Sequence, residues 1–181
     1  YTYLFELLNP LGFSKTQIND IIDALDSTSG KQFFSITHRI LKDRNYIIIT
    51  EMSAIKTKSY FIDLDVNIVH NPIQLELSKY EKPNTFEIIK DKNIGLFDLD
   101  LIDFPLTLRK WQKGDYFMPL GMSNLKKVSD FFIDQKLSIL EKEDTWILES
   151  NNKIVWIIGY RIDERFKISD NTKNILKIAR I

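Results

Sequence analysis

The apolar period of this chain changes at Gly30, and that change constrains its fold more than any other feature. Ahead of it, Ile18, Ile21, Ile22 and Leu25 fall at i, i+3, i+4 and i+7, one face of a helix. Ser14-Lys15-Thr16-Gln17 is a capping-box pattern, with Ser14 as N-cap and Gln17 reaching back to it. An earlier, shorter helix runs from Tyr3 to Leu8 and stops at Asn9-Pro10, because the residue before a proline avoids helical geometry. Ser27-Thr28-Ser29-Gly30 ends the second helix, with Gly30 able to take a left-handed cap. From Gln32 the period is two. Phe34, Ile36, His38 and Ile40 alternate with Ser35, Thr37 and Arg39 as a strand with one buried face, on which His38 reads as a core residue rather than a ligand. Asp43-Arg44-Asn45 is a turn, and Tyr46 to Thr50 a returning strand.

The rest of the chain is β-rich. Tyr60–Ile62, Ile73–Leu77 and Phe86–Ile89 read as strands, with breakers at Lys82-Pro83-Asn84 and Lys92-Asn93. After Pro105, Leu106 and Leu108 face one way and Thr107, Arg109 and Trp111 the other. Lys113-Gly114-Asp115 turns into an extended Tyr116-Phe117-Met118. Pro119-Leu120-Gly121 then feeds a helix capped by Ser123 or Asn124, with Lys126 and Lys127 in its first turn and Leu125, Val128, Phe131 and Phe132 as its apolar stripe. Trp146–Leu148 and Ile154–Ile158 flank a hairpin turn at Ser150-Asn151-Asn152, and Trp146 and Trp156 belong to the core. Phe166–Ile168 and Ile175–Ile181 supply the last strands. The pattern predicts an α+β fold: a helical segment over residues 1–30, a β-rich middle region over 31–105, and a C-terminal mixed α/β domain over 106–181 with one main helix on a small sheet. Because Tyr1 already lies in a helical pattern, a piece of a longer protein is expected.

Composition narrows the function classes. The absence of cysteine excludes a disulfide framework and a thiolate zinc site, and agrees with a reducing, cytoplasmic setting. No apolar run approaches ~20 residues and no signal-peptide pattern opens the chain, so membrane insertion is not expected. A net charge of zero argues against a non-specific DNA binder, but the charge is unevenly spread. Residues 1–30 carry one base and four acids, and 31–60 six bases and two acids. Residues 61–105 carry four bases and nine acids, and 106–181 fourteen bases and ten acids. A basic C-terminal segment beside an acidic middle fits a directed polyanion site, or two domains attracting each other across an interface.

Catalytic patterns are missing. There is no H-E-x-x-H, G-x-S-x-G, G-x-G-x-x-G or Walker loop, and two histidines without cysteine leave no Cys/His pair. Asp98, Asp100 and Asp103 read as the wet face of a strand rather than a metal cluster, since no glycine-bearing calcium loop surrounds them. Asp115 reads as a turn's hydrogen-bonding device, and nothing pairs it with Asp130 for acid/base work. No catalytic or metal-binding residue is expected. What remains is a surface: Arg109, Lys110, Lys113, Lys126, Lys127, Arg161 and Arg165, with Trp111 and Tyr160 as exposed-aromatic candidates. Bases of this kind contact phosphates while rings stack on nucleobases.

Three ordered motifs carry a resemblance. The first is Leu108-Arg109-Lys110-Trp111-x-x-Gly114-Asp115-x-Phe117-x-Pro119-Leu120-Gly121-Met122. The second is Lys126-Lys127-Val128-Ser129-Asp130-Phe131-Phe132-x-Asp134, and the third Ile154-Val155-Trp156-x-x-Gly159-x-Arg161-Ile162-Asp163-Glu164-Arg165-Phe166. In that order they resemble the C-terminal domain of the tRNA(Ile)-lysidine synthase family. Ser29-Gly30-Lys31-x-Phe33 with Asp43-Arg44 is similar to the family's middle region. The resemblance implies an ATP-dependent ligase, which adenylates the wobble cytidine of the CAU-anticodon isoleucine tRNA and joins lysine to it. That chemistry, with its ATP and Mg, belongs in the family to an N-terminal PP-loop domain with a Ser-Gly-Gly-x-Asp-Ser loop. No such loop occurs here, so no cofactor is expected in this stretch. The implied role is tRNA docking in the cytoplasm, alongside the PP-loop domain, on a fold similar to a module of the phenylalanyl-tRNA synthetase β subunit. By position, Arg109, Lys110, Trp111, Lys113, Lys126, Lys127, Arg161 and Arg165 are the implied tRNA contacts, and Gly114, Asp115 and Gly121 shape the loop. Glu141-Lys142-Glu143-Asp144 departs from the pattern by being acidic. The alternatives are a structural module of the full-length protein and a tRNA-binding appendage of another enzyme.

Overall fold

A computed structural model describes residues 2–52, 58–87 and 89–181. The chain divides into two compact units, residues 1–56 and 57–181, where the sequence suggests boundaries at 30 and 105. At residue 30 the helices and strands share one core, and at residue 105 strands from both sides of the position pair in one sheet.

In the first unit, α1 (Thr2–Leu8) runs into a 3-10 turn and then α2 (Lys15–Ala24). The capping box forms as expected, with the Gln17 N–H donating to Ser14 Oγ and the Ser14 N–H to Gln17 Oε1. Three antiparallel strands follow, β1 (Gln32–Phe34), β2 (His38–Asp43) and β3 (Tyr46–Glu51), in the order β1-β2-β3. Ile18 and Ile21 of α2 join Leu8, Phe13 and Ile40 in one core, so the helices and strands cannot be separate domains. Two local expectations fail. The alternation from Phe34 to Ile40 is a hairpin rather than one strand, because the Ser35 and Thr37 side chains hydrogen-bond to Leu11 O and turn the backbone there. Ile36 at the tip is 95% exposed. Gly30 is not the cap of α2, which is capped at Leu25; its N–H donates to Lys42 O and opens the β1 ladder.

The second unit has three layers. A five-stranded sheet contains β4 (Tyr60–Ile62), β8 (Leu106–Lys110), β11 (Trp146–Ser150), β12 (Lys153–Ile157) and β13 (Arg161–Ile162), in the order β13-β12-β11-β8-β4. A four-stranded sheet contains β5 (Ile68–Val69), β6 (Leu75–Glu81), β7 (Ile94–Asp98) and β14 (Asn174–Arg180), in the order β5-β6-β14-β7. Leu106, Leu108, Leu148 and Trp156 from the first sheet pack with Leu75, Leu77, Phe97, Leu176 and Ile178 from the second. The other face of the five-stranded sheet presents Ile147, Ile154 and Ile157 to α3 (Val128–Asp134). Val128, Phe131 and Phe132 of that helix are buried, each contributing about 1.5–3 kcal/mol. The α+β class and the helix on a sheet are as expected. The C-terminal strand β14 lies between β6 and β7, so residues from both sides of position 105 share one sheet. The acidic middle and the basic end are therefore one body, and an attraction between two such domains does not describe them.

Smaller differences are local. No strand forms at Phe86, Glu87 or Ile89, and Ile88 lies outside the described residues. Asp98 closes β7 and is buried, accepting from the Asp100 N–H and the Thr172 hydroxyl, rather than lying on a wet face. Residues Glu164–Phe166 make a 3-10 turn where a strand is expected to begin. The Asn151-Asn152 turn joins β11 and β12 as predicted, both residues having positive φ. Among the described residues no helix is long and apolar enough to cross a membrane.

Candidate functional site

The three motifs converge on the helix-bearing side of the five-stranded sheet. Arg109 and Ile147 are register partners, as are Thr107 and Glu149, so Arg109 and Glu149 share that face. The Arg109 guanidinium donates through Nε to Glu149 Oε2 at 2.9 Å, and through its terminal nitrogens to Asp115 at 2.9 and 3.0 Å, to Lys110 O at 3.0 Å and to Glu149 Oε1. All five N–H groups of an arginine are thereby used. Burial alone would lower the Arg109 pKa, but the hydrogen bonds and charges of Asp115 and Glu149 outweigh it and raise the value. With its side chain 14% exposed, Arg109 has no donor left for a phosphate. Asp115 also accepts from the Gln112 N–H at 2.6 Å, and its own carbonyl accepts from the Val128 N–H. It is the turn device the sequence suggests, and also a clamp on the start of α3.

A second clamp holds the loop after β9 (Tyr116–Phe117). Asp163, fully buried, accepts from the Met118 N–H at 2.7 Å and from the Arg165 N–H, Nε and Nη2 at 2.8–2.9 Å. The Leu120 N–H donates to Ile162 O, the Glu164 N–H to Met118 O, and the Gly121 N–H to the Glu164 carboxylate. That last bond, with Lys167, holds the Glu164 carboxyl below its ordinary pKa. The Asp163 partnership raises the Arg165 guanidinium. Gly114 (φ +101°) and Gly121 (φ +88°) occupy left-handed turns with nothing near a would-be Cβ, so they shape the loop through backbone freedom alone.

The remaining predicted contacts divide. Trp111 donates its indole N–H to Lys142 O at 2.5 Å and meets Phe132 edge-on at 5.1 Å, so it is a packing residue rather than an open stacking platform. Tyr160 is half-buried and packs on the same Phe132 ring, with centroids 6.2 Å apart. Lys110 lies 4.5 Å over the Trp146 ring and 3.8 Å from Asp144, and burial lowers its pKa. Lys126 pairs with Asp134. Lys126 and Lys127 are not in a helical turn. They form a short strand, β10 (Lys126–Lys127), paired with Tyr116 and Phe117, and this pairing displaces the expected cap at Ser123 or Asn124. α3 begins instead after Lys127, with no side-chain cap. Lys113, Lys127 and Arg161 are exposed and have no ion-pair partner among the described residues. The Lys127–Tyr116 register places Lys127 at the same end of the ribbon as the Lys113 turn.

Sequence reasoning did not single out a groove of about 560 Å³ on this unit. Its floor includes Leu96, Trp156 and Ile162, and its rim carries Lys90, Lys92, Arg161 and Lys167. Of these cations only Arg161 was a candidate; Lys90 and Lys92 beside the Lys92-Asn93 breaker were the available signal. No group of three or more metal-ligating side chains occurs among the described residues.

Residues 1–52 match the family described as the TilS substrate binding domain, and residues 106–179 that described as the TilS substrate C-terminal domain. The chain is 46% identical over 175 residues to a tRNA(Ile)-lysidine synthase of Parabacteroides distasonis, covering 97% of this chain and 40% of the relative. It is 38% identical over 174 residues to one of Bacteroides thetaiotaomicron, covering 96% of this chain and 38% of the relative. It thus spans about 40% of the length of these curated relatives. The crystal structure of a TILS C-terminal domain shares the fold, with a TM-score of 0.54 over 68% of this chain and 98% of that one, at 19% identity.

Proposed function

We propose that this chain, which belongs to the C-terminal region of the tRNA(Ile)-lysidine synthase family, docks tRNA for such an enzyme. The whole protein would be an ATP-dependent ligase of the cytoplasm, joining lysine to the wobble cytidine of the CAU-anticodon isoleucine tRNA. ATP and Mg would bind a PP-loop domain outside this sequence. The observation that supports docking is the pairing of two internally satisfied clamps with exposed cations that have no ion-pair partner among the described residues. Lys113, Lys127 and Arg161 are the direct phosphate contacts in this reading. Lys110 and Lys126 contribute by exchanging their carboxylate partners for phosphate, while Arg109, Trp111 and Arg165 hold the frame.

Titration of the chain with CAU-anticodon isoleucine tRNA over a salt series tests the proposal. Affinity should fall linearly with log salt, by a slope of about 0.9 per phosphate contacted in duplex regions. Charge reversal at Lys113 and Lys127 together should lower the slope by about 2 at unchanged melting temperature. No salt-dependent binding at low ionic strength would overturn it. Lost stability with unchanged affinity would instead favour a structural module.

A further inference from the structure

We propose that the 560 Å³ groove of the second unit takes an unpaired nucleotide, with its base on the apolar floor and its flanking phosphates on the cationic rim. This rests on the tRNA-docking reading. The groove forms where β7, the outer strand of the four-stranded sheet, and β13, the outer strand of the five-stranded sheet, come side by side. Ile94 and Leu96 of β7, Trp156 of β12 and Ile162 of β13 make its lining apolar. Its volume lies in the range of pockets that hold small organic ligands.

The charge around that lining identifies the occupant. Lys90 and Lys92 lie in the segment leading into β7, Lys167 is bridged through its backbone to Phe97 of β7, and Arg161 belongs to β13; Asp91 is the one acid among the described lining residues. Lys167 pairs with Glu164, whereas Lys90, Lys92 and Arg161 have no ion-pair partner among the described residues. An apolar slot that takes cations both from β13 and from the segments beside β7 suits a planar base whose chain enters and leaves as phosphates. A base still in a duplex could not reach the floor, so the occupant is single-stranded. An acidic peptide with an apolar side chain is the competing occupant, and the test separates the two.

The test uses the full chain and methyl-detected NMR, with three probes: a single-stranded RNA tetramer, an RNA duplex of equal charge, and an acidic peptide containing leucine. The tetramer should shift the methyls of Ile94, Leu96 and Ile162, and the duplex should not. The double variant K92E/R161E should weaken tetramer binding about tenfold or more and lower its salt slope by about 1.4, at two single-strand contacts. If the tetramer leaves those methyls unmoved while whole tRNA still binds with salt dependence, the groove inference fails and the docking reading stands. If neither RNA binds, both fail. Equal shifts from the peptide would make the groove a peptide site and overturn the inference.

Discussion

Replacing Arg109 with methionine separates a frame residue from a phosphate contact. The substitution keeps the aliphatic stem and removes every donor. Asp115 and Glu149, with side chains 13% and 12% exposed, are left facing the vacated position without a cation. Breaking a buried pair in this way costs about 3–5 kcal/mol, and residual exposure places the expectation near ~3 kcal/mol. For a unit of this size that is a fall of roughly 10 °C in melting temperature. All three tryptophans, Trp111, Trp146 and Trp156, lie in the second unit, so fluorescence reports its unfolding alone. The E149Q change should then add little in the R109M background, a coupling of about 1–3 kcal/mol in the cycle. Below the melting transition tRNA affinity and its salt slope should stay near those of the parent. A stability loss under about 1 kcal/mol, with the slope reduced by about 1, would refute the assignment and make Arg109 a phosphate contact.

Three further outcomes follow from the geometry. Ser14→Ala should destabilise the first unit by about 1 kcal/mol, seen as faster hydrogen exchange in α2 without change in tryptophan fluorescence. Gly121→Ala should cost about 1–2 kcal/mol through its positive φ alone, whereas Gly95→Ala would drive a Cβ into the Phe97 ring and should cost more; thermal melts compare the two. Glu164 has a folded pKa below its unfolded one, so its stabilisation is present above the ordinary carboxylate pKa and is lost as pH falls through the depressed value. Melts across an acid pH series should show a shallower acid limb for Glu164→Gln than for the parent protein.

How much of this was legible depended on range. The Ser14–Gln17 box and the Asn151-Asn152 turn join near neighbours in the chain, and local chemistry sufficed to place them. The position of β14 between β6 and β7 pairs Ile178 with the distant Leu77 and Gly95, and no periodicity encodes a partner. At the site the same limit hid the role of Arg109. A basic residue on the polar face of a strand looks alike whether free or paired, and only the β8–β11 register brings Glu149 to it. Asp163 offered a nearer signal: Asp163-Glu164-Arg165 is the spacing at which an Asx-type turn can also grip the arginine two residues on.

Within and beside the motifs, the framing residues and the exposed cations are therefore different positions. Asp163, Arg165 and Glu164 fix the backbone from Met118 to Gly121, and Arg109 with Asp115 fixes the turn before it. Ordering a loop residue costs about 1–2 kcal/mol of backbone entropy. A loop already ordered by the fold does not add that cost when RNA binds, so modest phosphate contacts at Lys113 and Lys127 can yield net affinity. In the proposed docking role, the satisfied Arg109, Asp115, Asp163 and Arg165 side chains supply the frame, and the exposed cations Lys113, Lys127 and Arg161 are where the RNA should be sought.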